Sequence, residues 1–130
     1  MARYDKYDGV SGGFRAALAA DWAAADYGVP FGVGLDSSGR VVKGAGVTGV
    51  RGVLVVDGVV EGGVIKTEPK KAGDMIDVMT AGDIVETGIA AGTKRAANVT
   101  TGVIGATGTE IGFTVEAGRL VVRCSGTAAV

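Results

Sequence analysis

Four carboxylates fall within residues 74–86 and come closest to a catalytic or metal-binding set in this sequence. They are Asp74, Asp77, Asp83 and Glu86. Clustered carboxylates could bind calcium or act as an acid–base pair. However, Asp74 and Asp77 fall on opposite sides of an extended chain, and acids at turns commonly cap backbone amides. We therefore expect these acids at turns and at solvent-facing strand positions, with no metal bound.

Residues 44–49 (GAGVTG) match the G-x-G-x-x-G pattern of dinucleotide-binding sites. Such a site needs a strand before the glycines and a helix after them, whose N-terminus meets the pyrophosphate. Residues 50–56 are instead dense in valine, which favours a strand. In a chain with 24 glycines among 130 residues, this match arises readily by chance. We expect no nucleotide to bind here.

The sequence lacks the residue types on which much enzyme chemistry depends. It contains no histidine, so no serine has its usual base, and its single cysteine, Cys124, cannot form an internal disulfide or a zinc cluster. The valine-rich surroundings of Cys124 predict a buried, unreactive thiol. We expect a protein that is not an enzyme and that binds no cofactor.

The charges are few and balanced. Thirteen basic and fourteen acidic residues give a net charge of −1, without a long block of either sign. A chain that binds nucleic acid or an anionic membrane generally carries a basic patch. No apolar run reaches the length of a membrane-spanning helix, and the N-terminus lacks a signal-peptide core. The sequence predicts a soluble protein made in the cytoplasm, with neither nucleic acid nor membrane as a partner.

Two segments precede the regular part of the chain. Residues 1–15 mix charge, tyrosine and glycine without an apolar period, so they are either a frayed terminus or an arm that orders on a partner. Residues 16–26 are rich in alanine; a short helix over residues 22–26 and an extended, docked segment both fit them. Trp22, the largest apolar side chain, is expected to fill the core.

From Phe31 onward, turn residues recur at the spacing typical of antiparallel β-proteins. The valine-rich runs between them predict strands at residues 31–35, 40–43, 50–56, 64–68, 75–79 and 84–86, and a final hairpin of residues 111–115 and 120–124. The Ala-Gly-Asp triplets at 72–74 and 81–83 predict turns. Residues 94–109 predict a long surface loop with one short strand at 103–104.

This pattern predicts an all-β fold. The candidates are a small compact β-barrel or β-tulip-like domain and a β-sandwich, because closing or stacking the sheet protects strand edges. We place the extended N-terminal arm at residues 1–15 and a single β-domain at residues 16–130.

Three segments resemble the small capsid decoration, or head cement, proteins of tailed bacteriophages, in particular those of phages that infect actinobacteria. They are MARYDKYDGVSGGFR at residues 1–15, FGVGLDSSGRVVK at 31–43 and KAGDMIDVMTAGDIVE at 71–86. The resemblance implies a compact β-fold, often trimeric, on the exterior of the virion capsid near threefold positions. It also implies the major capsid protein as partner, and a role in holding the expanded shell against the pressure of packaged DNA.

On this resemblance, we expect the N-terminal arm to contact the capsid protein. The candidate contact residues, chosen because aromatic and arginine side chains anchor interfaces, are Arg3, Tyr4, Tyr7, Phe14, Arg15 and Trp22. Two other functions remain open: a head–tail or tail component of a virion, present in fewer copies, and a cytosolic β-barrel that binds a small ligand or peptide.

Overall fold

The computed structural model describes residues 3–5, 12–56, 60–61, 64–65, 70–85 and 90–124, and confirms that the protein is all-β. The described strands are β1 (Arg3–Asp5), β2 (Gly13–Ala17), β3 (Phe31–Leu35), β4 (Val41–Lys43), β5 (Gly52–Leu54), β6 (Val60–Glu61), β7 (Val64–Ile65), β8 (Met75–Met79), β9 (Ala81–Val85), β10 (Lys94–Ala97), β11 (Ile104–Gly105), β12 (Thr109–Glu116) and β13 (Arg119–Arg123). A 3-10 helix at Ala24–Asp26 interrupts the segment before β3.

The strands form two main sheets, and the pairings between the named strands are antiparallel. The six-stranded sheet has the order β1-β9-β13-β12-β10-β11, and the five-stranded sheet has the order β2-β8-β5-β3-β4. Strands β6 and β7 pair with each other. The described strands do not close into a barrel, so the sandwich is the observed alternative.

The first core lies between the two sheets and draws side chains from both. The five-stranded sheet contributes Val53 and Met79, and the six-stranded sheet contributes Ile84, Ile111 and Leu120 among others. All five side chains are fully buried. Each contributes about 1.5–3 kcal/mol relative to an exposed position, which makes this layer the main source of cohesion between the sheets.

A second core covers the other face of the five-stranded sheet. It packs Val33, Leu54 and Val78 of the sheet against Trp22 and Tyr27, which come from the segment between β2 and β3. A single parallel bridge joins Leu18, just after β2, to Val41 in β4, so the sheet curls around these two rings. The central strands β3 and β5 of the five-stranded sheet are therefore buried on both faces.

Strands β8 and β9 are one strand that changes sheets at Thr80. The amides of Thr80 and Ala81 both donate to the carbonyl oxygen of Gly12, at 2.7 and 3.1 Å, and the Cys124 amide donates to the Thr80 carbonyl at 2.9 Å. On one side of this corner β2 pairs with β8, and on the other side β1 pairs with β9. The boundary we drew after residue 15 thus falls inside β2.

The turn predicted at residues 81–83 is wrong. Ala81, Gly82 and Asp83 belong to β9, because the backbone there is paired with β13, and Asp83 is also paired with β1. The other Ala-Gly-Asp triplet, at 72–74, is a turn as predicted. The same three letters therefore adopt two conformations, decided by the neighbouring strands.

The long loop predicted at residues 94–109 is also wrong in its first part. Lys94–Ala97 forms β10, paired with both β11 and β12. Ala96 and Ala97 are buried although alanine is a weak strand former. They fit because Gly32 lies opposite: a Cβ at Gly32 would stand 2.2 Å from the Ala97 Cβ. The close approach of β3 and β10 selects small residues on both.

Most other predicted elements are confirmed. The predicted strands at 31–35 and 75–79 have the bounds we expected, and the final hairpin is present as β12 and β13. Between the glycines of residues 44–49 and β5 there is no helix. The predicted strand at 50–56 shortens to β5. Of residues 22–26, where a short helix and an extended segment both fitted, Ala24–Asp26 forms the 3-10 helix and Ala23 before it is extended.

Gly32→Ala should lower the free energy of unfolding by about 1–3 kcal/mol, because the added methyl forces apart two sheets that already touch. Urea unfolding monitored by circular dichroism measures this. Gly105→Ala is the matched control, since an added Cβ at Gly105 meets no atom within 4 Å. A loss of equal size in both variants would contradict the close-contact explanation.

Candidate functional site

The predicted capsid-contact residues occupy three different environments. Arg3 and Tyr4 lie in β1, at register positions opposite Val85 and Ile84 of β9. Tyr7 lies outside the described residues. The remaining three predicted contacts are Phe14, Arg15 and Trp22. The first two are in β2, whereas Trp22 lies in the second core. The arm is therefore an edge strand in each main sheet, at β1 and at β2.

Among the predicted contact residues whose side chains the structure describes, Arg15 is the most exposed. Its Nε donates to Asp77 Oδ1 at 3.0 Å and its Nη2 to Asp77 Oδ2 at 3.5 Å, across the β2–β8 ladder. The two side chains are 65% and 45% exposed. An ion pair this exposed contributes under about 1 kcal/mol to the free energy of unfolding. Replacing Asp77 by a carboxylate of another protein would therefore cost Arg15 little. Phe14, by contrast, packs against the second core.

An open groove runs beside this ion pair. It has a volume of about 330 Å³ and lies between the exposed end of β8 and the chain that leaves β5. Arg15, Asp77 and Lys70 supply its polar rim, and Met75, which is 53% exposed, supplies apolar surface. The groove combines charged side chains with the flexible thioether of Met75, and this combination is suited to binding another protein.

Trp22 is a core residue. Only 6% of it is exposed, its indole N–H donates to the Asp26 carbonyl at 3.2 Å, and its ring meets Phe31 edge-to-face at 5.6 Å. The Lys43 ammonium lies 4.6 Å from the Trp22 centroid and 4.4 Å from the Phe31 centroid, and it forms an ion pair with Asp26. This arrangement anchors the segment before β3 to the edge strand β4.

Asp83 corrects the expectation that all four acids face solvent. It is 5% exposed, and its Oδ2 accepts a hydrogen bond from Arg119 Nε at 3.0 Å. Arg119 Nη1 also donates to Glu116 Oε1 at 2.9 Å. These bonds to Glu116 and Asp83 raise the pKa of Arg119 above its ordinary value. The sequence contains Asp83 and Arg119, but it does not show that the two residues lie diagonally opposite each other on the paired strands β9 and β13.

The other acids have separate partners. Asp74 accepts a hydrogen bond from the Lys71 amide at 2.9 Å, as a turn acid does, and Asp77 pairs with Arg15. Glu86 lies outside the described residues. In the part of the chain that the structure describes, no three metal-ligating side chains cluster. Burial raises the pKa of Cys124 to about 11, so its thiol stays protonated at neutral pH.

Sequence reasoning missed an exposed aromatic residue on the six-stranded sheet. Simple alternation would place Ile111, Phe113 and Val115 on one face of β12. The register between β10 and β12 shifts at this point, so that Ile111 is buried while Phe113 and Val115 are 44% and 49% exposed. A β-bulge has no sequence signal of its own here.

Within the described residues, no helix is long and apolar enough to cross a membrane.

Lys43→Met should lower the free energy of unfolding by about 1–2 kcal/mol, because it removes the cation from two rings and leaves the Asp26 carboxylate without its partner. Fluorescence of Trp22, the single tryptophan, follows the urea transition directly. Lys71→Met is the control: its ion pair with Asp21 spans 3.8 Å and both side chains are at least 60% exposed. Equal effects would rule out a special role for the Lys43 cluster.

Comparison with known proteins identifies the fold. No protein-family model matches the chain, and no curated protein sequence matches it. Among solved structures, a chain from Mycobacterium phage Patience superimposes with a TM-score of 0.87 at 19% sequence identity, covering 98% of this chain and 97% of that chain. The two chains therefore share one fold over nearly their whole lengths.

Proposed function

We propose that this chain is a structural protein of a bacteriophage virion, and that it decorates the outer surface of the mature capsid. The observation that carries the proposal is the full-length structural match to a chain of a Mycobacterium phage. Mycobacteria are actinobacteria, the hosts of the phages whose decoration proteins the sequence resembles. The structural likeness and the sequence resemblance both lead to phages of this group of hosts.

The physical properties of the molecule suit a cement protein. Such a protein needs a rigid body and a surface that fits the shell, and it needs no catalysis. Rigidity comes from the two cores, which bury both faces of the central strands β3 and β5. The net charge of −1 keeps the protein from adhering to DNA. We assign it to the capsid exterior after synthesis in the host cytoplasm.

The N-terminal arm is the proposed contact with the major capsid protein. Arg15 provides an exposed guanidinium beside an open groove, and Arg3, Tyr4, Tyr7 and Phe14 belong to the same arm. Trp22 supports this surface from the core. A homotrimer that places three arms on neighbouring capsid subunits binds with high avidity even when one contact is weak. Because decoration favours the expanded shell, it stabilises that shell by linkage.

Co-sedimentation of the purified protein with expanded, undecorated capsids tests this function. We expect saturation at a fixed, large number of copies that matches the threefold positions of the lattice. Binding at only a few copies per particle would indicate a head–tail or tail component instead. No binding at micromolar concentration would contradict the virion-surface function.

Arg15→Ala should weaken capsid binding about fivefold or more, since arginine anchors in protein interfaces commonly exceed 1 kcal/mol. Titration of labelled protein onto capsids measures the affinity. Asp77→Ala is the matched control, because it removes the same internal ion pair but keeps the guanidinium available. Unchanged affinity in Arg15→Ala, or an equal loss in Asp77→Ala, would show that Arg15 does not touch the capsid.

A further inference from the structure

The outer face of the six-stranded sheet carries a continuous line of side-chain positions across five strands. The cross-strand register places Lys94 opposite Phe113, Phe113 opposite Val121, Val121 opposite Asp83, and Asp83 opposite Asp5. We call these five positions the cross-strand row. Ile84, Leu120 and Val122, the neighbours of Asp83 and Val121, point into the first core, so the side chains of Asp83, Val121 and Phe113 lie on the side away from it.

Phe113 is the exposed apolar residue of this row. It is 44% exposed, whereas Val121 beside it is 6% exposed. The backbone that carries the ring is paired on both sides, since Phe113 lies opposite Lys94 of β10 and Val121 of β13. A rigid aromatic side chain loses little conformational freedom when it enters a pocket.

The charges around Phe113 are not balanced internally. Arg119 has two carboxylate partners, Asp83 and Glu116. Lys94 and Arg123 are exposed. Among the described residues, neither cation has a carboxylate partner. Arg123 donates instead to the backbone carbonyls of Gly82 and Val122. Lys94 lies directly opposite Phe113, and Arg123 lies two residues beyond Val121 on β13. The phenyl ring therefore has two uncompensated cations nearby.

The proposed arm contact and Phe113 lie on the same sheet. The arm strand β1 is the edge strand of the same sheet, and three strand-to-strand steps separate it from β12. At about 4.8 Å per step, Phe113 lies roughly 14 Å across the sheet from Asp5. A single protein subunit that touches β1 is wide enough to cover Phe113 as well.

We propose that the outer face around Phe113 docks on the same capsid-protein subunit as the arm, in an apolar pocket rimmed by carboxylates. The proposal rests on the decoration function and names a second part of its contact surface. Phe113 fills the pocket, and Lys94 and Arg123 face the rim. Complementary charge of this kind accelerates association and makes it sensitive to salt, while the buried ring contributes most of the affinity.

Two substitutions of Phe113 test the pocket, with capsid affinity and thermal unfolding measured for each. Phe113→Ser should weaken binding to expanded capsids at least tenfold, whereas Phe113→Leu, which keeps an apolar side chain, should stay within about threefold of the unaltered protein. Val47→Ser controls for loss of exposed apolar surface elsewhere, because Val47 is 72% exposed in the loop after β4. We expect it to bind normally.

The paired cations are tested by salt dependence. Lys94→Glu combined with Arg123→Glu should slow association and flatten its dependence on ionic strength, while Lys71→Glu, at another exposed lysine, should change neither. An unaltered salt dependence in the double variant would overturn the carboxylate-rimmed pocket.

The outcomes separate this inference from the function on which it rests. If the unaltered protein fails to bind capsids, both the decoration function and the Phe113 pocket are contradicted. If it binds and Phe113→Ser binds equally well, the decoration function stands and the Phe113 pocket is wrong. If Phe113→Ser instead abolishes self-association in analytical ultracentrifugation and leaves capsid affinity unchanged, a second copy of this chain covers the face, and the proposal is overturned.

Discussion

One strand that passes from one sheet to the other at Thr80 is the constraint on which the rest of the structure depends. Its two halves, β8 and β9, lie in different sheets, so the angle at Thr80 sets how the sheets face each other. The Gly12 carbonyl holds the corner from one side and the Cys124 amide holds it from the other. On the two sides of the corner, β1 pairs with β9 and β2 pairs with β8. These two described parts of the arm therefore belong to the sheets that meet at the corner.

The corner gives the chain a defined surface. Because β1 and β2 sit at edges of different sheets, the arm presents residues on both sides of the bend. The central strands β3 and β5 of the five-stranded sheet are buried on both faces and have little freedom to adjust. A surface fixed in this way suits repeated, identical contacts on a shell, where each copy must meet the same geometry.

The sequence was sufficient where side-chain type decides the structure. Apolar residues between turn residues marked β3 and β8 with the correct bounds, and the glycine-containing turn marked the final hairpin. It was insufficient where a neighbouring strand decides. Lys94–Ala97 became a strand because Gly32 allows the sheets to touch, and Ala81–Val85 because its backbone is paired on both sides. Neither cause can be read from the local residues.

The candidate site likewise could be predicted from the sequence only in part. The exposure of Arg15 follows from its type, and the core position of Trp22 follows from its size. The burial of Asp83 and the exposure of Phe113 do not, because the first depends on a diagonal arginine in β13 and the second on a shifted register in β12. Contacts between strands distant in sequence therefore determine the part of the surface that carries the proposed function.

A cryo-electron microscopy map of a decorated capsid, with this chain fitted into the density, tests the central claim most directly. We expect the outer face of the six-stranded sheet and the arm strand at its edge to lie against the shell. Density that places the sheet's outer face toward solvent, or that shows no ordered copies on the shell, would contradict it.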